Sequence, residues 1–435
     1  MKIAFYLENR DIPDVDLSRP ELGNPGCGGT EYLFVALPYY LDKLQGQKCK
    51  SILLANHVRS LPKTLDSIEV EDVCDAILFA KEDGCDFFVY RARRHPEKEL
   101  LSLIQTLKMP TIVWAHIIPN GKHLQQLADN EYVRSIVCVE HEQYDLAQDS
   151  AVWKKLTYIV NGFDLKGYQL IRPPKKDRNE VVYIGALIKQ KGFHLLARAW
   201  PKILKQCPDA HLSVIGTGAL YDSKARLGPW GVAEESYEKE FIHPYLQDSS
   251  GLPHPSVNFL GKLGSEKKEI LYRAMVGVPN PVGSTENCPG SAIEIQASGT
   301  AVVSGAYYGL LDTVRGGETG LLGRTEDDLV NNICRLLKDR ELAEKFGDNG
   351  IRFIEERYNF KKVTSSWCNL FYLLRQGQQP KRIRFKNNLN RHTKYLIVIN
   401  RYFQIIFGNF IVWPSLIEMK LNFLKLLKNI RIRGE

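Results

Sequence analysis

The run Glu286-Asn287-Cys288-Pro289-Gly290-Ser291-Ala292-Ile293-Glu294-Ile295-Gln296-Ala297-Ser298-Gly299-Thr300-Ala301-Val302-Val303-Ser304 holds a complete succession of loop, helix and strand. Pro289-Gly290 is a turn signal, residues 291–297 read as the start of a helix with Ser291 near its cap, and Ala301–Ser304 is a short apolar strand. The same alternation extends outward in both directions. Further strands are expected at Ile3–Leu7, Ser51–Ala55, Phe87–Tyr90, Thr111–Trp114, Ser135–Val139, Val181–Ile184, Leu212–Ile215 and Val257–Leu260. Between them Leu100–Leu107, Leu195–Gln206, Ser265–Ala274 and Asp328–Arg340 carry apolar residues at helical spacing. Strands alternating with helices in this way predict α/β architecture, with parallel sheets covered on both faces.

At 435 residues the chain has the length of two domains, and its 44% hydrophobic content supplies two cores. The alternation breaks between Thr157 and Glu180, where Asn161-Gly162 marks a turn and Arg172-Pro173-Pro174-Lys175-Lys176-Asp177 reads as an extended linker. A domain boundary is therefore expected near residue 165. The polar stretch Tyr221–His254 reads as an insertion over one edge of the second sheet.

The net charge of +8 is unevenly placed. Residues 380–435 carry twelve cations and two acids, which leaves residues 1–379 near neutrality. A folded basic face of the kind nucleic acid requires is thus not expected. The basic tail points instead to an anionic partner such as a lipid surface, with a helix packed on the body or on a partner chain as the alternative. Within it Tyr395–Trp413 is apolar but interrupted by Asn400, Arg401, Gln404 and Asn409, which argues against a membrane span. Nine scattered cysteines without a C-x-x-C pair disfavour a zinc site or a disulfide framework and suit a reducing, cytoplasmic compartment. The apolar run Lys2–Leu7 is too short for the core of a signal peptide.

Two motifs carry chemistry. Gly26-Cys27-Gly28-Gly29-Thr30-Glu31 precedes a helical pattern at Tyr32–Leu41, so its amides and the helix N-terminus offer a phosphate contact. A dinucleotide fingerprint fails there, because Glu31 stands where a third glycine belongs; Gly216-Thr217-Gly218 fails likewise at Tyr221. The second motif places Glu286 on a loop and Glu294 in the first turn of the following helix, with free N–H groups between them. Amides there can take a diphosphate while the carboxylates accept from sugar hydroxyls. A solvated Glu286 and a Glu294 that completes a capping box with Ser291 explain the same residues.

The Glu286-x7-Glu294 pattern with Ala297-Ser298-Gly299-Thr300-Ala301-Val302-Val303 resembles the signature of the family 4 retaining glycosyltransferases of GT-B fold. Other marks of that family follow in order: Gly28-Gly29-Thr30-Glu31, His116 at a strand end, Ile159–Asp164, Tyr183-Ile184-Gly185 through Lys191-Gly192, and Gly317–Leu322. The resemblance covers residues 1–376. It implies two doubly wound Rossmann-like domains facing across a cleft. These are an acceptor-side domain over 1–165 and a nucleotide-sugar-binding domain over 166–359. A helix at 360–376 would cross back to the first domain, and residues 377–435 form a basic tail outside the pattern.

The resemblance also implies roles. Glu286 would touch the donor sugar, Glu294 the ribose and Lys191 the diphosphate, with His116 near the reacting centre. The donor loop would comprise Gly28, Gly29, Gly185 and the stretch Glu286, Asn287, Cys288, Pro289, Gly290, Ser291, Ala292 and Glu294. The family's arginine after Gly185 is Ala186 here, with Lys189 as a substitute that lacks arginine's fork. Partners would be a nucleotide-diphosphate sugar and a glycan or lipid-linked acceptor, and no cofactor is expected. No metal is expected either, since Asp14-Val15-Asp16 fits an Asp-x-Asp string but precedes the glycine loop. Cys27 and Cys288 read as small fillers. Two rivals fit the same fold: a nucleotide-sugar 2-epimerase, and a non-catalytic glycan- or nucleotide-binding subunit for which Ala186 speaks.

Overall fold

A computed structural model describes residues 1–168, 175–219, 225–283, 286–386, 388–407, 411, 413–420 and 422–423. The chain forms two compact units. One comprises Met1–Pro13, Leu37–Asn161 and Val363–Glu435; the other comprises Asp14–Ala36 and Gly162–Lys362. The glycine loop and residues 29–36 of the helix Gly29–Gln45 thus pack in the second unit rather than with the N-terminal strand. Of the linker expected over 172–177, residues 172–174 lie outside the described residues, while Asp177 already opens a strand.

The first unit is built on β1 (Lys2–Leu7), β2 (Lys50–Ala55), β3 (Asp66–Glu69), β4 (Phe87–Tyr90), β5 (Thr111–Ala115), β6 (Val133–Cys138) and β7 (Leu156–Tyr158). They lie in the order β3-β2-β1-β4-β5-β6-β7, every pair parallel. The central strands are buried on both faces, so they read as unbroken apolar runs. The helix Phe360–Arg375 brings Trp367 and Phe371 into this unit, against Trp114 and Phe87 at ring separations of 5.3 and 5.5 Å.

The second unit repeats the plan with β8 (Asp177–Ile184), β9 (His211–Ile215), β10 (Val257–Gly261), β11 (Ala274–Val278), β12 (Ala301–Gly305) and β13 (Gly320–Gly323). Their order is β10-β9-β8-β11-β12-β13, again all parallel. Both units are therefore Rossmann-like, with the strand order reversing between β1 and β4 in one and between β8 and β11 in the other. The core of the second unit gathers Tyr183, Phe193, Trp200, Val276 and Phe346 between the sheet and its helices.

Three expectations need correction. The helix expected over Ser265–Ala274 spans Lys267–Arg273, and Ala274 already opens β11. No glycine or proline separates that helix from its strand, so periodicity merged them. Of the segment expected as an insertion, residues 225–254 include short helices, and Ala233, Tyr237, Ile242 and Leu246 of this stretch join the core. Glu294 lies beyond the first turn of the helix Gly290–Ala297, whose cap residue is Pro289 rather than Ser291.

Candidate functional site

In open parallel sheets the loops at the carboxyl ends of the strands flanking the order reversal diverge and leave room for a ligand. In the second unit those loops follow β8 and β11. The first, Gly185–Gly192, is folded by the buried Tyr183 hydroxyl, which donates toward the carbonyls of Ala186 (3.2 Å) and Lys191 (3.0 Å). It closes on Gly192 at φ +72, where a Cβ would stand 2.6 Å from Val282 Cγ2 and 2.9 Å from Val282 N. Only glycine allows the two loops to approach so closely.

That approach joins two predicted residues. Lys191 Nζ donates to Glu286 Oε1 at 2.7 Å, and Asn280 Nδ2 donates to the same oxygen at 2.8 Å. Asn280 is itself fixed, accepting through Oδ1 from the N–H groups of Val282 and Gly283 at 2.9 Å each. Glu286 is 7% exposed, which identifies it as a held, desolvated carboxylate rather than a solvated loop acid. Its backbone is anchored too, the carbonyl accepting from Gly309 N at 2.8 Å.

Four residues beyond Glu286 the helix Gly290–Ala297 begins without a side-chain cap. Gly290 is exposed, and a Cβ built on it meets nothing within 4 Å. Its amide end is therefore open to an anion. On the same helix Glu294 Oε1 accepts from Lys267 Nζ at 2.9 Å, and Lys267 also donates to Asn24 O at 3.2 Å. Glu294 thus makes a buried ion pair instead of a capping box. Asn24 in turn organises the glycine loop, its Oδ1 accepting from Gly26 N (2.8 Å) and Cys27 N (2.9 Å). Lys267 thereby links the loop that leads to Gly28 and Gly29 with Glu294.

The remaining expectations divide as follows. His116 belongs to the first unit and follows β5; its ring packs 4.6 Å from that of Trp114. Burial, with help from the Arg91 charge, pulls its pKa down to about 3, so the imidazole is neutral at ordinary pH. Ala186 is 1% exposed, a site with no room for an arginine. Lys189 faces the Phe241 ring, its ammonium 5.4 Å from the centroid. Burial pushes the Cys27 thiol up to about 12, which suits a filler and not a nucleophile. Asp16 turns its Oδ1 to Ser18 N at 2.9 Å. Among the described residues one group of potential metal donors occurs, Asp177, Glu180 and His211, and Arg273 already engages both oxygens of Glu180.

Sequence reasoning missed Asn280 and Lys267, the partners that hold the two glutamates. Asn280 sits in Val278-Pro279-Asn280-Pro281 at a strand end, a turn signal that could have marked it. Lys267 offered none. In Lys267-Lys268-Glu269 it looks like a solvated helix face, yet both lysines are buried.

The two Rossmann-like units define a GT-B-type α/β protein. HepE of Anabaena, solved in complex with UDP and glucose, superposes with a TM-score of 0.61 at 16% identity, over 86% of this chain and 99% of that one. Residues 170–353, which hold Lys191, Glu286 and Glu294, match the family model described as glycosyl transferases group 1. A D-inositol 3-phosphate glycosyltransferase of Corynebacterium diphtheriae is 31% identical over 184 residues, 41% of this chain and 38% of the relative. An uncharacterized glycosyltransferase of Methanocaldococcus jannaschii, MJ1607, is 25% identical over 205 residues, 45% of each. The chain spans about half the length of the curated relatives it matches.

Proposed function

We propose that this chain is a glycosyltransferase that moves a sugar from a nucleotide-diphosphate donor to a glycan or lipid-linked acceptor, with retention of anomeric configuration and without a metal ion. The observation that carries the reading is the Glu286 carboxylate, held by Lys191 and Asn280 beside an uncapped helix terminus. Cleaving a sugar–phosphate bond builds positive charge at the anomeric carbon and negative charge on the departing diphosphate. Lys191 and the amides of Gly290 to Ala292 supply fixed positive potential for the leaving group, the kind of preorganised electrostatics that dominates many transfer reactions. Glu286 accepts from hydroxyls of the donor sugar, and Glu294 from the ribose.

In this reading His116 attends the donor sugar as a neutral hydrogen-bonding group, because an imidazole with so low a pKa carries no charge at neutral pH. The matched segment and the names of its relatives support transfer of a glycosyl group. The basic tail supports work at an anionic, cytoplasmic membrane face on a lipid-linked acceptor for cell-surface polysaccharide.

The test is a thermal-shift screen of UDP- and GDP-sugars, since a bound donor raises apparent stability by mass action. Product analysis then follows with and without lipid and glycan acceptors. Transfer that depends on an acceptor supports the proposal. An epimerised nucleotide sugar formed from donor alone assigns the chain to the 2-epimerases, and binding without turnover on any acceptor assigns it to binding subunits.

A further inference from the structure

The helix Arg391–Phe407 in the first unit is built inside out. A helix at a protein surface ordinarily turns its apolar stripe inward and its polar face to water. Here the inward positions are Lys394, Ile397, Asn400 and Gln404, all buried. Lys394 Nζ sits between Glu142 Oε2 (2.7 Å) and Asp145 Oδ2 (2.8 Å), and it donates to Lys386 O at 3.1 Å. Asn400 Nδ2 donates to Asp149 Oδ2 at 2.8 Å, and its Oδ1 accepts from Trp413 Nε1 at 2.9 Å. Arg401 donates to Gln148 Oε1 at 3.2 Å.

The outward positions are Tyr395, Leu396, Ile399, Tyr402 and Ile406, each more than half exposed. They recur at three- and four-residue spacing and so form one ridge. Burying Lys394 and Asn400 is tolerated because both are paired, and such pairs fix register better than they stabilise. The body therefore grips the polar face and holds the apolar ridge outward. No helix among the described residues is long and apolar enough to cross a membrane.

We propose that this ridge docks on an anionic lipid bilayer, the helix lying flat in the interface. Charge selects the occupant. Residues 380–435 carry twelve cations and two acids around the ridge in sequence, and Lys394 is neutralised by Glu142 and Asp145 of the body. A second copy seated on the ridge would bring two net-cationic segments together, whereas an anionic bilayer complements both the apolar ridge and the charge of the segment that carries it. Tyr395 and Tyr402 add amphipathic rings of the kind that settle at headgroup level. The inference rests on the reading of the tail as a membrane contact, but vesicle binding requires neither donor nor acceptor. Its failure and the failure of the transferase reading are therefore separate outcomes.

The full chain is sedimented with vesicles of equal phosphatidylcholine and phosphatidylglycerol, and with phosphatidylcholine alone. Its partner in the assay is the triple variant Leu396→Ser, Ile399→Ser, Ile406→Ser, whose changes lie at exposed positions and leave the melting temperature unchanged. The expected result is uptake by the anionic vesicles, roughly tenfold weaker uptake by phosphatidylcholine, and a loss of about 30-fold or more in the variant. Equal uptake by both vesicles, or undiminished uptake of the variant, would overturn the proposal. So would a wild-type dimer that ignores vesicles and dissociates on the same substitutions.

Discussion

Replacing Glu286 with glutamine tests the centre of the site, because it removes one charge and changes almost no volume. In the folded protein this carboxylate accepts from Lys191 at 2.7 Å and from Asn280 at 2.8 Å. A hydrogen bond to a charged group contributes about 1.5–3 kcal/mol. The loss is smaller for stability, because the Lys191 side chain is 22% exposed and can rehydrate, and because the glutamine carbonyl still accepts from one donor. The expected cost in folding is about 1–2 kcal/mol. Transfer suffers more if Glu286 holds sugar hydroxyls as charge develops at the anomeric carbon. Losing a charged acceptor there lowers kcat by roughly 10- to 150-fold, the same 1.5–3 kcal/mol expressed as a rate. Lys191, relieved of its counter-charge, faces the diphosphate more strongly, so the donor KM stays level or falls. The assay is initial-rate transfer from the nucleotide sugar that gives the largest thermal shift, with melting curves run in parallel. A variant that melts lower as forecast but keeps kcat within about threefold of wild type would show that the carboxylate only braces the two loops.

Other outcomes follow from neighbouring residues. Gly290→Ala adds a methyl where nothing lies within 4 Å, so the melting temperature holds while donor affinity falls if the amides there meet the diphosphate; unchanged donor affinity removes that contact. Ala186→Arg does not restore the family's arginine but destabilises by about 3–5 kcal/mol, because the position is closed to solvent and an unpaired guanidinium must be desolvated. An unfolding midpoint equal to wild type would refute that. His116 has a folded pKa pulled from the ordinary imidazole value of about 6.5 down to about 3, so its neutral form stabilises the fold fully above pH 6.5. As pH falls the unfolded chain takes the proton first, and about 2 kcal/mol is lost by pH 5. His116→Asn lacks that loss, and parallel stability profiles for the two proteins between pH 7.5 and 5 would contradict it.

Much of the fold was legible because parallel strands buried on both faces leave an unambiguous trace. Phe87–Tyr90 was read to the residue, and the strands around Ile3–Leu7, Thr111–Trp114 and Ala301–Ser304 to within one. The strands that escaped are of another kind. Asp66–Glu69 alternates weakly at the sheet edge, Leu156–Tyr158 is only three residues long, Gly320–Gly323 is half glycine, and Ala274–Val278 abuts a helix without a breaker. Each lacks either the apolar run or the punctuation on which a periodicity reading depends.

The site divides along a different line. Lys191 and Glu286 were named from motif position, and the structure puts their charges in contact across a separation of 95 residues. Asn280 and Lys267 were not, because a residue that holds another has no pattern of its own; its role exists only once two loops or helices meet. The same limit explains Cys49 and Cys368, whose sulfurs lie 2.7 Å apart though 319 positions separate them. It explains the tail as well. Asn400, Arg401 and Gln404 looked in sequence like blemishes in an apolar stretch. In the structure Asn400 and Arg401 take up the polar side chains of residues 148 and 149, Gln404 is buried, and Lys394 meets Glu142 and Asp145. A hydropathy pattern reports which face of a helix is apolar, not which way that face points. The direction is set by buried carboxylates some 250 residues earlier, and they are what turns an ordinary amphipathic helix into an exposed ridge.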